Sequence, residues 1–144
     1  MAVWQFDVTI ASSFTEKALS PARTRFAEIA LTALFGAPHE MLEGWLFYGD
    51  KYGSRVDFIR TDGDGCELSA RIDAREEADT FISSIVTIVD SMDCKFFDET
   101  GRPIAATEEE LRNAIMASDA WRFALDPKSY RPDPAGGSPL GWSR

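Results

Sequence analysis

The sequence predicts an α+β fold, with a mainly antiparallel sheet of four to five strands. Two main helices pack on one face of it, and a third helix lies towards the C-terminus. Three observations predict this. Trp4, Phe6, Val8 and Ile10 alternate with Gln5, Asp7 and Thr9, the period of a half-buried strand. The run from Arg55 to Asp73 reads as two strands joined by the Gly/Asp turn Asp62-Gly63-Asp64-Gly65. Helix starts are written at Ser20-Pro21, a cap followed by proline, and at Thr107-x-x-Glu110, a capping box.

The elements follow in the order β-α-β-β-β-α-β-α. After the first strand, Ser13-x-x-Glu16 marks a short turn of helix. The first main helix carries Ala22, Phe26, Ile29, Ala30, Ala33 and Leu34 as its apolar stripe and stops at Gly36 and Pro38. His39 then falls in a surface loop. Gly44 to Tyr48 is a short apolar strand that sets Trp45 and Phe47 on one face and Leu46 and Tyr48 on the other. One of these faces must be covered by helices, and the other by helices, a ligand or a partner.

Parity sets the register of the next two strands. Phe58 faces Leu68, Val56 faces Ala70 and Arg60 faces Cys66, provided that the loop is odd, as Asp62-Gly63-Asp64 is. Gly63 and Gly65 supply the positive φ of such a turn. Arg60 is then a charge on an otherwise apolar face. Asp73-x-x-Glu76 reads as a capping box for a helix bearing Ala78, Phe81, Ile82, Ile85, Val86, Val89 and Met92. That helix is rich in β-branched residues, so burial against the sheet must override weak propensity. Cys94 to Phe97 is a short strand and Asp98 to Arg102 a turn. The Thr107 helix follows, with Leu111, Ala114 and Ile115 inward, and Asp119 starts a last helical piece up to Asp126-Pro127. Residues 1–126 form a single domain, and 127–144, with four prolines and three glycines, form an irregular tail.

Composition narrows the function. The chain has 144 residues, 44% of them hydrophobic, and is long enough to bury roughly 70% of its unfolded surface. Its net charge is −9. Residues 62–133 alone carry seventeen acids and eight bases. That half repels phosphate backbones, which disfavours nucleic acid and suits a basic protein partner. No apolar run spans a membrane, and residues 1–7 do not read as a signal peptide, so a cytoplasmic protein with buried thiols at Cys66 and Cys94 is expected.

Catalytic motifs are not evident. A calcium loop starting at Asp62 would put Cys66 at its fifth position, Glu67 where glycine is required and Asp73 where glutamate is required. His39 is the single histidine, which excludes a multi-histidine metal site within one chain. No nucleophile elbow, phosphate loop or dinucleotide fingerprint occurs. No cofactor or metal is implied.

The leading expectation is a non-catalytic interaction protein, of inhibitor or immunity type, that binds a basic partner through its acidic half and an aromatic sheet face or its tail. The alternative is a small-ligand binder or hydrolytic enzyme with a pocket between the sheet and the first helix, near Trp45, Tyr48, His39 and Arg60. A homodimer joined by the tail or an open sheet edge is a third reading. Trp142, in the Pro/Gly tail, would seal its own domain or a neighbouring subunit's groove.

Overall fold

The computed structural model describes residues 3–76 and 78–126. The expected tail, with Trp142, lies outside the described residues. Seven strands form one antiparallel sheet: β1 (Gln5–Ala11), β2 (His39–Leu42), β3 (Trp45–Gly49), β4 (Arg55–Arg60), β5 (Cys66–Asp73), β6 (Lys95–Phe97) and β7 (Pro103–Ile104). The helices are α1 (Pro21–Phe35), α2 (Asp79–Ser91), α3 (Glu108–Met116) and α4 (Asp119–Leu125). The strands lie in the order β2-β3-β4-β5-β1-β6-β7.

The class is as the sequence predicts, but the sheet is wider than the four to five strands expected. β2 and β7 are the additions. β2 carries no apolar alternation, and its pairing with β3 shifts between Glu40 and Leu42. β7 is two residues long and pairs with β6 across the turn at Asp98. Both are short edge strands, as edges tend to be. His39 therefore opens a strand rather than sitting in a loop.

β1-α1-β2 and β5-α2-β6 are crossovers between parallel strands. β1 and β5 run in opposite directions, and their crossovers leave in opposite directions along the sheet. Both crossovers thus have the same hand with their helices on the same face. That face collects Val8, Ile10, Tyr48, Val56, Phe58, Cys66, Leu68, Ala70, Ile72, Phe96 and Ile104 into one core with Ala27 and Leu31 of α1, six residues of α2, and Leu111 and Ile115 of α3.

The β4–β5 register is the one parity demands: Phe58 opposite Leu68, Val56 opposite Ala70, Arg60 opposite Cys66. Thr61 donates to the Gly65 carbonyl at 3.0 Å, closing a three-residue loop. Positive φ falls on Gly63 and on Asp64, not on Gly65, whose φ is −94°. Gly65 is glycine for another reason: a Cβ there would lie 2.6 Å from the Leu19 carbonyl oxygen.

Three local expectations are corrected. Ser13 and Glu16 form an isolated bridge, not a helical turn. α2 begins at Asp79, because Asp73 accepts the Arg75 N–H in a turn of its own and the Glu76 carboxylate is taken by Ser54. Of the expected stripe, Ala22, Phe26, Ile29, Ala33 and Leu34 face outward, with Ile29 66% exposed, and Ala30 packs against the core. The buried residues of α1 are Thr24, Ala27 and Leu31, on the opposite side. α1 is apolar on two faces, and periodicity alone does not say which one the sheet takes. Its ends are as expected: Ser20 Oγ accepts from Arg23 N at 3.2 Å, and Gly36 takes φ 85°.

Candidate functional site

The site residues expected from sequence do not converge. Tyr48 is completely buried on the helix face, edge-on to Phe58. Arg60, on the same face, lies at the surface and pairs with Glu28 of α1 at 2.8 Å. Trp45 lies on the other face, where its indole Nε1 donates to Asp57 Oδ1 at 3.2 Å. His39 stacks there on Phe47, with ring centroids 5.1 Å apart. The pocket expected among these four is therefore split across the sheet: His39 and Trp45 share one side, Tyr48 and Arg60 the other. On the His39 side Arg55 and Asp57 form a buried ion pair at 3.2 Å, with the guanidinium 5.8 Å from the Phe47 ring centroid.

The cysteines are free and buried. Burial pushes the Cys66 thiol above its ordinary pKa, against a hydrogen bond from Thr24 Oγ1 at 3.4 Å and the charge of Arg60. Cys94 is raised by burial as well. Both thiols are held protonated, the opposite of nucleophile activation. Among the described residues, no cluster of three or more His, Cys, Asp or Glu could hold a metal ion.

A groove does form elsewhere, where β5 ends and the chain turns into α2. Asp73, 4% exposed, is tied down by its neighbours. Its N–H donates to Ser54 Oγ at 3.0 Å, and Ser54 Oγ donates to Glu76 Oε1 at 2.9 Å. Arg75 donates to both Asp73 carboxylate oxygens, at 3.0 and 2.8 Å. Burial alone would raise the Asp73 pKa, but these hydrogen bonds and the guanidinium charge win and lower it, so Asp73 is ionised at neutral pH. The Arg75 guanidinium lies 3.9 Å from the Trp4 ring centroid, and Trp4 packs on Phe123 of α4. α4 is thereby held at this end of the sheet. On α3, Arg112 donates to Asp79 at 2.7 Å and to Glu108 at 3.4 Å, holding the starts of α2 and α3 together.

The groove left between β5, α2, α3 and α4 has a volume of about 240 Å³. Ile72, Ala74, Ala78, Ile82, Ile115, Met116 and Trp121 wall it, and Asp73, Glu76, Asp79 and Arg112 complete its lining. It is an apolar trough whose three carboxylates are already engaged, Asp73 by Arg75, Glu76 by Ser54 and Asp79 by Arg112, so it suits an apolar side chain. Sequence reasoning passed over these residues. The available signal was Asp73, Glu76 and Asp79 ahead of an apolar helix, which reads first as helix capping. Trp121 reads first as core.

No family model matches the chain, and comparison with curated proteins and with solved structures returns no match.

Proposed function

We propose that this chain is a non-catalytic protein-interaction module, of inhibitor or immunity type, acting in the cytoplasm. Its groove takes an apolar side chain of a basic protein partner, which the net charge of −9 attracts. The groove between β5, α2, α3 and α4 carries this reading. Its 240 Å³ lies below the roughly 300–1,000 Å³ of small-molecule sites, which favours one inserted side chain over a substrate. Glu108, Glu109 and Glu110 on the first turn of α3 add to the negative charge that attracts a basic partner. Nucleic acid is disfavoured on the same electrostatic ground. The free, buried cysteines suit a reducing compartment.

The test is affinity capture from the source cell with full-length protein and its Met116→Arg variant. A partner retained at low salt by the wild type and lost with Met116→Arg supports the reading. A partner retained equally by both places binding elsewhere.

A second reading concerns the outer face of α1, where Phe26 is 42% and Ile29 66% exposed in line with Ala22 and Ala33. It would join two copies. Arg25 and the Glu28–Arg60 pair leave this face without the excess negative charge of the rest of the chain, so self-repulsion there is weak. Light scattering decides: a dimer reduced to monomer by Ile29→Glu supports it, and a monomeric wild type at micromolar concentration removes it.

A further inference from the structure

The sheet has two faces, and α1, α2 and α3 pack on one of them. On the other, the register sets four side chains in a single row across β2, β3, β4 and β5. Leu42 stands opposite Trp45, Trp45 opposite Ile59, and Ile59 opposite Glu67. Three apolar side chains from three strands are thus neighbours. Leu42 is 63% and Ile59 40% exposed, and Trp45, its indole fixed by Asp57, is half-buried between them. Single exposed apolar residues are ordinary on a protein surface, whereas a contiguous row of them marks a contact surface. Neighbouring strands lie about 4.8 Å apart, so the row is about 10 Å long.

Negative charge frames this row. Glu67 closes it on β5, the β2–β3 turn brings Glu43 next to Leu42, and the β4–β5 loop at the same end of the sheet brings Asp62 and Asp64. Unlike the carboxylates that line the groove, these four have no ion-pair or hydrogen-bond partner among the described residues. Arg60, the cation between Ile59 and the loop, points to the helix face and is taken by Glu28 at 2.8 Å. Lys95, on the same face as the row, lies two strands beyond Glu67. We infer that the row is a second docking surface, for a segment of another protein whose apolar side chains are flanked by lysine or arginine. Each cation of such a segment meets a carboxylate that gives up no existing pair. Nucleic acid and anionic lipid carry the wrong charge for this surface. A second copy docked row to row would set its acids against these acids. The surface is independent of the groove: it lies on the opposite face of the sheet, and Glu67 and Asp73 stand roughly 20 Å apart along β5.

NMR on the full-length protein tests this. The indole N–H signals of Trp45 and Trp121, assigned through Trp45→Phe and Trp121→Phe, report on the row and on the groove separately. The probe is a short synthetic peptide of alternating leucine and lysine, with a leucine–glutamate peptide and a serine–lysine peptide as controls. In the proposed docking the leucine–lysine peptide moves the Trp45 signal saturably and neither control does. Leu42→Ser and Glu67→Lys, both at exposed positions, each raise its Kd at least about threefold, the scale of one exposed contact. Met116→Arg, at the groove, leaves that Kd unchanged. A Trp45 signal that stays still, that moves equally with either control, or that keeps its Kd in either Leu42→Ser or Glu67→Lys overturns the inference, as does a Kd lost with Met116→Arg. A Trp121 signal that moves while Trp45 stays still also overturns it, and leaves the groove reading standing.

Discussion

The Tyr48 hydroxyl is buried, with no partner in hydrogen-bonding geometry among the described residues. Burial raises its pKa, with the nearby Thr32 side chain pulling the other way. Thr32 is thus close to the phenol without forming a well-made bond. An unsatisfied buried hydroxyl costs about 1–3 kcal/mol, so Tyr48→Phe should leave stability unchanged or raise it by about 1 kcal/mol in urea denaturation. A clear loss would mean that the hydroxyl is satisfied in solution. Asp98 is the converse case. Its Oδ1 accepts from Thr100 N, Thr100 Oγ1 and Arg102 N, at 2.9, 2.6 and 2.9 Å. Burial pushes its pKa up, but these bonds outweigh burial and lower it. A carboxylate with a lowered folded pKa binds fewer protons folded than unfolded. Its contribution is therefore complete above the unfolded value, about 3.9, and is lost as pH falls through the folded one. Asp98→Ala should cost about 1–2 kcal/mol near pH 7 and show a weaker loss of stability below about pH 4 than the wild type. Equal acid sensitivity of the two proteins would contradict this assignment. The turn at Asp98 could be read from Asp-Glu-Thr-Gly. The Arg60 partner could not, because Glu28 is 32 residues away on another element.

At the scale of elements, α1 shows where a pattern loses its meaning. Its outer stripe and its inner residues are both apolar, and the sheet settles the choice by taking the side with Thr24, Ala27 and Leu31. The sharp expectation is a contrast between the two faces. Leu31→Ala should lose about 2–5 kcal/mol, as deletion of a buried leucine does, whereas Ile29→Ser should change stability by no more than about 0.5 kcal/mol. Thermal denaturation of both variants, at a concentration where the wild type is monomeric, checks it. Comparable losses would place the sheet on the other side of the helix. α2 was legible because a single broad face is apolar: Phe81, Ile82, Ile85, Val86, Ile88 and Val89 are all buried. The β4–β5 hairpin was legible because a period of two and an odd loop leave one register that buries Val56, Phe58, Cys66, Leu68, Ala70 and Ile72 together. β2 and β7 were not, since an edge strand is specified by its neighbour's free backbone groups rather than by its own side chains.

For the whole molecule, the groove depends on three parts of the chain that meet only after folding: the end of β5, the paired starts of α2 and α3, and α4 held by Trp4 and Phe123. Each part carries a local signal, but their convergence has none, which is why the sequence pointed instead to Trp45, Tyr48, His39 and Arg60. Charge, by contrast, is a property of the whole chain and is legible from composition. Residues 1–126 hold −11, and most of the ion pairs that offset this repulsion are exposed, such as Arg60–Glu28 and Arg112–Asp79. Exposed pairs contribute about 0–1 kcal/mol each, and salt weakens them only modestly in absolute terms. Among the described residues, the one well-buried pair, Arg55–Asp57, is screened least. Self-repulsion among the remaining carboxylates is screened strongly once the Debye length falls to about 10 Å or less. Salt should therefore stabilise this protein. Raising sodium chloride from about 0.02 to 0.3 M is expected to lift the Tm by roughly 2–5 °C, which corresponds to about 1 kcal/mol for a domain of this size. Calorimetry across that range measures it. A Tm that falls with salt would mean that attractive pairs dominate, and the net charge would then be compensated locally rather than left open for a basic partner.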